Sequence, residues 1–408
     1  MPSHQESAAV RSPAIAARIV TARTLRGLAD GLVSVLLAGY LSHLGFSSFE
    51  VGAVVTGTLL GSALLTIVLG VVGHRVTLRR VLLGTSILMV ATGLGFAMFD
   101  SFWPLLVIAV LGTLNPTGGD LTVFVPAEQA ALAQAVPAAR RATLFASYNL
   151  GGTLASGVGS LLASGPGLVA AALSSSLIAA ERAAFVAYAV VGALVTALYR
   201  GLPESAVVAG RAAPLARSRR TVFQLAALFS LDSFGGGFAV QSLLVLWLQQ
   251  RFGLSMITMA QVFFGAGLAA AFSQYVSARL AMRIGYVRTM VYTHLPANMF
   301  LVLAGLAPTA SLAVTLLLLR AALSQMDVPA RQAYVMAVVA PEERPAAASF
   351  TNVPRSLAGA FSPLLAGMML EYSSVGWPLI CGGVLKALYD VLLLASFHNR
   401  EPVEGVRA

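Results

Sequence analysis

Long apolar segments separated by short polar connections fill most of the chain. Twelve such segments can be distinguished, at 23–44, 50–73, 80–99, 103–126, 142–164, 180–200, 221–249, 257–278, 288–306, 311–333, 346–370 and 376–397. Each can cross a bilayer, which takes about 20 mainly apolar residues in a helix. A helix is expected because it satisfies its backbone hydrogen-bonding groups within one segment. The pattern therefore predicts an all-α membrane protein with twelve transmembrane helices.

The composition fits a chain whose solvent is lipid. Of the 408 residues, 58% are hydrophobic and 10% are charged, whereas a soluble domain carries about 25% charged residues. The net charge of +10 could suggest nucleic-acid binding, but no polar stretch is long enough to fold as a separate binding domain. We therefore expect the lipid bilayer as a partner, and no nucleic acid.

The positions of the basic residues predict the orientation in the membrane. If both termini are cytoplasmic, the inner connections hold 21 basic residues and the outer connections hold two, Arg182 and Arg251. Basic residues favour the cytoplasmic side of membrane proteins. We therefore expect a multi-pass protein of the cell (inner) membrane whose N- and C-termini are both cytoplasmic.

A polar connection in the middle of the chain separates two halves that repeat. The predicted units are a cytoplasmic tail at 1–22, a six-helix bundle at 23–200, a cytoplasmic linker at 201–220, a second six-helix bundle at 221–397 and a cytoplasmic tail at 398–408. The matched positions are Gly45 with Gly253, Ser47 with Ser255 and Arg75 with Arg283 at an offset of 208, and Pro126 with Pro329 and Asn149 with Asn352 at an offset of 203. Paired pseudo-symmetric bundles are a known transporter architecture, with the solute held between the halves.

The loops after the second and eighth segments carry a family resemblance. Residues 70–80 read Gly-Val-Val-Gly-His-Arg-Val-Thr-Leu-Arg-Arg, and residues 278–288 read Ala-Arg-Leu-Ala-Met-Arg-Ile-Gly-Tyr-Val-Arg. Both resemble the loop pattern Gly-x-Leu-Ala-Asp-Arg-x-Gly-Arg-Arg of the major facilitator superfamily. The arginines are kept, but the acidic position is His74 in one copy and Met282 in the other. In the family this acidic residue helps to latch the halves on the cytoplasmic side, so a latch here would need another partner.

Two further segments, 126–130 and 327–333, resemble family members that export drugs or small metabolites. The glycine-rich fifth span hints at the antiporter pattern without its proline, and the fourth span lacks the arginine of many proton-coupled members. The resemblance implies a secondary active transporter that moves a small organic solute by alternating access. We expect proton-coupled export by an antiporter, with no enzyme activity, in a monomer.

Two aspartates lie within equivalent spans of the two halves. Asp30 is in the first span and Asp232 is in the seventh, and both spans line the central cavity in the family. An ionisable group inside the membrane is a functional candidate, because a charge is costly there. Each aspartate is either a carboxylate that exchanges protons during the cycle or a permanently ionised partner of an arginine.

Two arginines lie about midway through the tenth and eleventh spans. Arg320 and Arg355 are each about ten residues into a span, which is roughly 15 Å deep at 1.5 Å per residue. Either guanidinium could bind a substrate carboxylate or phosphate through its fork of donors. The alternative is a structural network with Asp232 and Asp327, which we favour for Arg355 and leave open for Arg320.

The fourth span contains the sequence Asn-Pro-Thr-Gly-Gly-Asp at 115–120. Proline and two glycines weaken a helix at this point, and a broken helix is tolerated in a membrane where it lines a cavity or packs on protein. Asn115 and Asp120 could contact substrate, or the segment could be a kink needed for rocking. Asn149 in the fifth span is a further candidate for substrate binding.

Other charged residues are expected to act as gates or structural pairs. The cytoplasmic gate candidates are Arg75, Arg283, Asp327 and Arg331. Pro329 is expected to end or bend the tenth helix. Lys386 and Asp390 are four residues apart on the twelfth span, so we expect them to pair on one helix face.

The sequence disfavours several other functions. No His, Cys and carboxylate set has metal-site spacing, and no phosphate-binding Gly-Lys-Ser/Thr loop is present. We therefore expect no metal, no cofactor and no ATP-driven transport. A membrane enzyme acting on lipid would need clustered catalytic groups, which cannot be assembled here. The alternative to a transporter is a non-transporting membrane receptor or assembly partner with a transporter fold, although the loops and tails are about 25 residues or shorter.

Overall fold

The computed structural model describes residues 4–72, 76–117, 123–136, 138–204, 215–216, 218–340 and 343–397. The described residues form sixteen helices, namely α1 (His4–His43), α2 (Ser48–Val72), α3 (Leu78–Met98), α4 (Phe102–Leu111), α5 (Phe124–Ala135), α6 (Ala138–Leu162), α7 (Gly165–Ala172), α8 (Leu177–Arg200), α9 (Arg219–Gly237), α10 (Gln241–Phe252), α11 (Met256–Ile284), α12 (Tyr286–Leu306), α13 (Ala310–Ser324), α14 (Asp327–Val338), α15 (Arg344–Tyr372) and α16 (Trp377–Phe397). The expected all-α fold is confirmed.

The helices account for the twelve predicted spans. Ten helical stretches of the described chain, some joined across a short break, are long and apolar enough to cross a membrane. The other two spans are the fourth, formed by α4 and α5, and the eleventh, formed by the 29-residue helix α15. Large apolar side chains remain exposed around the bundle, among them Phe272, Met299 and Phe361. Such a surface is suited to lipid.

Three predicted spans are interrupted rather than continuous. Helix α4 ends at Leu111, before Pro116, because a proline cannot donate a helical hydrogen bond. Helix α13 ends at Ser324, and α14 restarts before Pro329, as expected. The seventh span, which the sequence predicts as one helix, ends at Gly237 and restarts at Gln241. Three consecutive glycines at 235–237 weaken the helix at that point.

The first helix is longer than its apolar segment. The sequence predicts a span that begins at residue 23, whereas α1 begins at His4. Ala16 and Ile19 are buried, and the Arg18 guanidinium donates a hydrogen bond to the Gly201 carbonyl. These contacts extend the helix beyond the hydrocarbon-length segment.

The repeat seen in the sequence has a structural counterpart in the loops after the first and seventh spans. Gly45 has a φ of 90° and Gly253 a φ of 63°, a left-handed conformation that glycine adopts without steric cost. Ser47 Oγ accepts a hydrogen bond from the Glu50 amide, and Ser255 Oγ accepts one from the Thr258 amide, both at 3.2 Å. Equivalent residues therefore close the same turn in each half.

The two halves pack against each other through α2 with α15, α6 with α11, and α1 with α10. The end of the bundle that contains the connection between α1 and α2, residues 44–47, is named here the loop-1 end. At this end the side-chain amide of Gln250 donates to Ser48 Oγ at 2.7 Å, and the backbone amide of Phe49 donates to the Glu371 carboxylate at 3.2 Å. A cleft of about 440 Å³ lies between the halves there, with Ser48, Gln250 and Glu371 among its lining residues.

Candidate functional site

A buried cluster of charges surrounds Asp232 in α9. The Lys386 ammonium on α16 lies 2.5 Å from Asp232 Oδ1 and donates to the Asp232 carbonyl at 3.3 Å. The Arg331 guanidinium on α14 lies 3.3 Å from Asp232 Oδ2 and 3.1 Å from Asp327 Oδ2. All four residues are at most 7% exposed. Asp232 is therefore bound by two basic side chains from different helices.

The cluster continues through His294 and Asn298 on α12. His294 Nδ1 lies 2.9 Å from Asp390 Oδ1 on α16, and Asn298 Nδ2 donates to Asp390 Oδ2 at 2.8 Å. His294 Nε2 lies 3.7 Å from Asp232 Oδ1. The imidazole therefore connects the two buried carboxylates.

The predicted pair between Lys386 and Asp390 is wrong. Lys386 reaches across to Asp232 on the neighbouring helix, while Asp390 is bound by His294 and Asn298. Spacing of four residues places two side chains on one helix face, but a better partner on another helix decides which pair forms.

Arg320 on α13 and Arg355 on α15 lie near this cluster without joining it. Both interact electrostatically with Asp232, and Arg355 also interacts with Arg331 and Asp327. Both are half-buried, and the buried Nε atom of each has no hydrogen-bond partner. The expected ion pairs with Asp232 and Asp327 are formed by Lys386 and Arg331 instead.

The N-terminal half contains a separate buried ion pair. The Arg26 guanidinium on α1 donates to the Glu128 carboxylate on α5, and it lies 4.0 Å from the centroid of the Phe124 ring. The hydroxyl of Tyr148 donates to Glu128 at 2.5 Å, and the hydroxyl of Tyr199 donates to its other oxygen. Four elements, α1, α5, α6 and α8, are thereby joined at one carboxylate.

Asp30 lies one helical turn beyond Arg26 and is 5% exposed. Its described hydrogen bond comes from Asn115 Nδ2, at 3.5 Å from Asp30 Oδ2. The Asn115 side-chain oxygen accepts from the Thr117 hydroxyl at 2.7 Å. Asp30 and Asn115, predicted separately from the first and fourth spans, are therefore brought together.

The remaining predicted site residues are more dispersed. Asn149 on α6 is half-buried, and the gate candidate Arg283 is exposed at the end of α11, next to the exposed Met282. Asp120 and Arg75 lie outside the described residues.

The sequence interpretation missed both residues of the buried pair in the N-terminal half. Arg26 is one of the 21 basic residues of the predicted inner connections, and Glu128 lies within segment 126–130, whose predicted significance is its exporter-like pattern. The sequence feature that points to Glu128 is its position two residues after Pro126, a proline that matches Pro329 in the second half.

The interrupted spans of the two halves meet at Ser242. Its amide and hydroxyl both donate to the Pro116 carbonyl, at 3.2 and 3.0 Å, and the hydroxyl also lies 2.9 Å from the Ser34 carbonyl. Next to it, Gln241 Nε2 donates to Ser160 Oγ at 3.2 Å. The Pro116 carbonyl, which lies in the break of the fourth span, therefore accepts its described hydrogen bonds from the other half, as backbone at membrane depth requires a partner.

Twelve spans in two packed halves, with interrupted helices and ionisable groups at membrane depth, are the architecture of a helical membrane transporter. The chain belongs to the Major Facilitator Superfamily, whose family profile matches residues 19–323. Membership makes it a secondary transporter of a small solute across a lipid bilayer.

Three similar proteins illustrate this relationship. The chain is 24% identical over 410 residues to the uncharacterized membrane protein YJR124C of Saccharomyces cerevisiae, covering 91% of this chain and 92% of that protein. It is 30% identical over 149 residues to the multidrug efflux protein YfmO of Bacillus subtilis, covering 36% and 37% of the two chains. Its fold matches an inward-facing, occupied bacterial homologue of the human lysosomal transporter Spinster with a TM-score of 0.75 and 15% identity, over 96% of this chain and 98% of that chain.

Proposed function

We propose that this transporter exports a small organic solute in exchange for protons, with Asp30 as the proton-carrying carboxylate. In this proposal the protein is a monomer in the cell (inner) membrane with both termini in the cytoplasm. Protons that enter from the outside neutralise Asp30, and the solute leaves when the halves reopen to the outside.

The environment of Asp30 carries the proposal. It is a buried carboxylate on α1 whose described hydrogen bond is a 3.5 Å contact from Asn115. The nearby Arg26 guanidinium is engaged by Glu128. Carboxylates at membrane depth that are not fixed in ion pairs are suited to proton relay.

Asp232 is less suited to the same role. Lys386 and Arg331 contact both of its oxygens at 2.5 and 3.3 Å. A proton on Asp232 would remove the carboxylate charge that the buried Lys386 ammonium contacts, and breaking a buried ion pair in this way is costly. We therefore assign Asp232 a structural role in this cycle.

Export is favoured over import by similarity to a drug efflux protein. The match to YfmO covers 149 residues, and the segments 126–130 and 327–333 resemble exporter motifs. The basic excess in the predicted cytoplasmic connections supports the proposed orientation.

A flux assay in proteoliposomes tests the proposal. A panel of small organic solutes is measured with and without an imposed pH gradient for the wild type, Asp30→Asn and Asp100→Asn. Asp100 is a matched control because its side chain is 68% exposed and pairs with Arg182. We expect the gradient to drive wild-type flux, Asp30→Asn to lose at least tenfold of that driven flux while retaining solute exchange, and Asp100→Asn to match the wild type. Gradient-driven flux that survives in Asp30→Asn would overturn the assignment.

A further inference from the structure

The cleft between the two halves at the loop-1 end is named here the loop-1 cleft. Its volume of about 440 Å³ lies within the range of roughly 300–1,000 Å³ that is usual for small-molecule sites. Ser48 on α2 lines one wall, and Gln249 on α10 and Glu371 on α15 line the other. Gln250 and Glu371 are exposed, so the cleft can be reached from solvent. A ligand bound here would contact both halves.

The charge in the loop-1 cleft is negative. Among the nine described residues that line it, Glu371 is the one charged side chain, and none is basic. A second carboxylate lies directly behind the wall, because Glu50 accepts a hydrogen bond at 2.9 Å from the backbone amide of the lining residue Ser47. The nearby basic residues Arg251 and His43 do not line the cleft, and His43 is bound by a carboxylate on α8. Such a charge distribution attracts cations and disfavours anions.

The lining also offers a hydrogen-bond acceptor that is not in use. Gln249 Oε1 is buried and has no hydrogen-bond partner among the residues that the structure describes. An unpaired buried acceptor is unfavourable, and a ligand with N–H donors would satisfy it. Leu246, Leu370 and the Phe46 ring form the apolar part of the lining. The cleft therefore fits a ligand with an ammonium group and a small apolar body.

We propose that the loop-1 cleft binds a small organic cation from the medium and thereby holds the two halves together at the loop-1 end. The Glu371 carboxylate supplies the counter-charge, and Gln249 Oε1 accepts a hydrogen bond from the ammonium group. Hydrogen bonds between a charged donor and a carboxylate are stronger than those between neutral groups. The inference goes beyond the proposed function, because it depends neither on the direction of transport nor on the proton as coupling ion.

The position of the cleft explains why a ligand there would act on the conformation. The two walls belong to different halves and meet through the hydrogen bond from Gln250 to Ser48 and the close approach of Gly52 to Gly367. The cleft is therefore lost when the halves separate at this end. A ligand shifts an equilibrium toward the conformation that it binds more tightly, so an ammonium ion in the cleft should keep this end closed.

A binding assay on the purified full chain tests the site. The thermal midpoint Tm in detergent at pH 7 is measured against the concentration of benzylammonium, of the neutral analogue benzyl alcohol and of the anion phenylacetate. A ligand that binds the folded protein raises its Tm. We expect benzylammonium to raise Tm in a saturable way, and the neutral and anionic probes to leave it unchanged.

Variants locate the binding in the cleft. Glu371→Gln keeps the size of the side chain and an acceptor for the Phe49 amide, and it should weaken the apparent affinity for benzylammonium at least tenfold. Glu371→Asp should retain part of the affinity, and Gln249→Leu should weaken it at least threefold. Asp100→Asn is the matched control, because the Asp100 side chain is 68% exposed and does not line the cleft. Gel-filtration profiles show which variants remain folded.

A glycine variant tests whether binding depends on contact between the halves. A Cβ atom at Gly52 would lie 2.7 Å from the Pro363 carbonyl oxygen, whereas nothing lies within 4 Å of a Cβ at Gly84. If the ligand holds the halves together, pushing them apart must weaken its binding by the same linkage. Gly52→Ala should therefore bind benzylammonium at least tenfold more weakly, and Gly84→Ala should bind it as the wild type does. Equal affinity in the two variants overturns the role in holding the halves together.

The outcomes separate this inference from the proposed function, because the binding assay needs neither a pH gradient nor a transported solute. Binding of benzylammonium that depends on Glu371 supports the site even if the flux assay shows no proton-driven transport, a result that contradicts proton-coupled export alone. Equal stabilisation by benzylammonium and benzyl alcohol, no stabilisation by benzylammonium, or an affinity unchanged in Glu371→Gln overturns the site and leaves export standing.

Discussion

Glu128 and Arg331 occupy equivalent positions in the two halves, 203 residues apart, and carry opposite charges. Each forms a buried ion pair with the first helix of its own half, Glu128 with Arg26 on α1 and Arg331 with Asp232 on α9. The repeat has therefore kept the place of the ion pair while reversing its polarity. In the N-terminal half the ion pair joins the interrupted fourth span to the first span. In the C-terminal half it joins the interrupted tenth span to the seventh span.

The pair between Arg26 and Glu128 should stabilise the fold only as a pair. Arg26→Met or Glu128→Met removes one member of this buried ion pair, and breaking such a pair costs about 3–5 kcal/mol. The double variant removes both charges and should lose less stability than the sum of the two single variants. Thermal midpoints in detergent for the four proteins measure this, and additive losses would show that the two side chains act independently.

Lys386 should be coupled to Asp232 and not to Asp390. Two double-mutant cycles compare Lys386→Met with Asp232→Asn and with Asp390→Asn. Residues in contact show interaction energies of roughly 0.5–3 kcal/mol, so the first cycle should fall in that range and exceed the second. A larger coupling to Asp390 would restore the pairing that residue spacing alone suggests.

Gly52 should be needed for the contact between α2 and α15. A Cβ atom there would lie 2.7 Å from the Pro363 carbonyl oxygen and 2.9 Å from the Gly367 Cα, both backbone atoms. Gly52→Ala should therefore separate the helices and lower transport at least tenfold. Gly84→Ala is the control, because nothing lies within 4 Å of a Cβ at Gly84, and an alanine in a helix should stabilise it by about 1 kcal/mol. Similar transport by the two variants would contradict this account.

The loop-1 end should open and close during transport. The side chains of Ser48 and Gln250 meet across the halves at 2.7 Å. In a Cys381→Ser background, Ser48→Cys with Gln250→Cys should cross-link under mild oxidation and block transport until a reductant is added. Each single cysteine variant should transport normally under the same oxidation. Full transport by the cross-linked protein would mean that the halves do not separate here.

The spans were predictable from the sequence because hydropathy is a local property. Two of the three breaks were also signalled, by Pro116 and Pro329, since proline removes a helical donor wherever the helix lies. The break after Gly237 was missed, although three consecutive glycines precede it. A glycine run only lowers helix stability, and the packing of the neighbouring helices decides whether the helix ends.

The partners of the charged residues were not predictable in the same way. Asp30 and Asp232 were recognised as intramembrane carboxylates, but their different environments depend on which helices face them. Spacing alone predicts a pair of Lys386 with Asp390, whereas Lys386 contacts Asp232 on another helix. Rotation and tilt of each helix set these contacts, and neither can be read from residue spacing. The roles of the candidate site residues in transport stay predictions.

The contact at the loop-1 end is built from neutral groups and close-packed glycines. Gly52 approaches Gly367, and the Gln250 side chain binds Ser48; of the hydrogen bonds described between the two halves at this end, the one from Phe49 to Glu371 uses a charged group. Ionic strength screens charges but hardly affects van der Waals contact or neutral hydrogen bonds. The contact between the halves at this end should consequently persist through large changes in ionic strength.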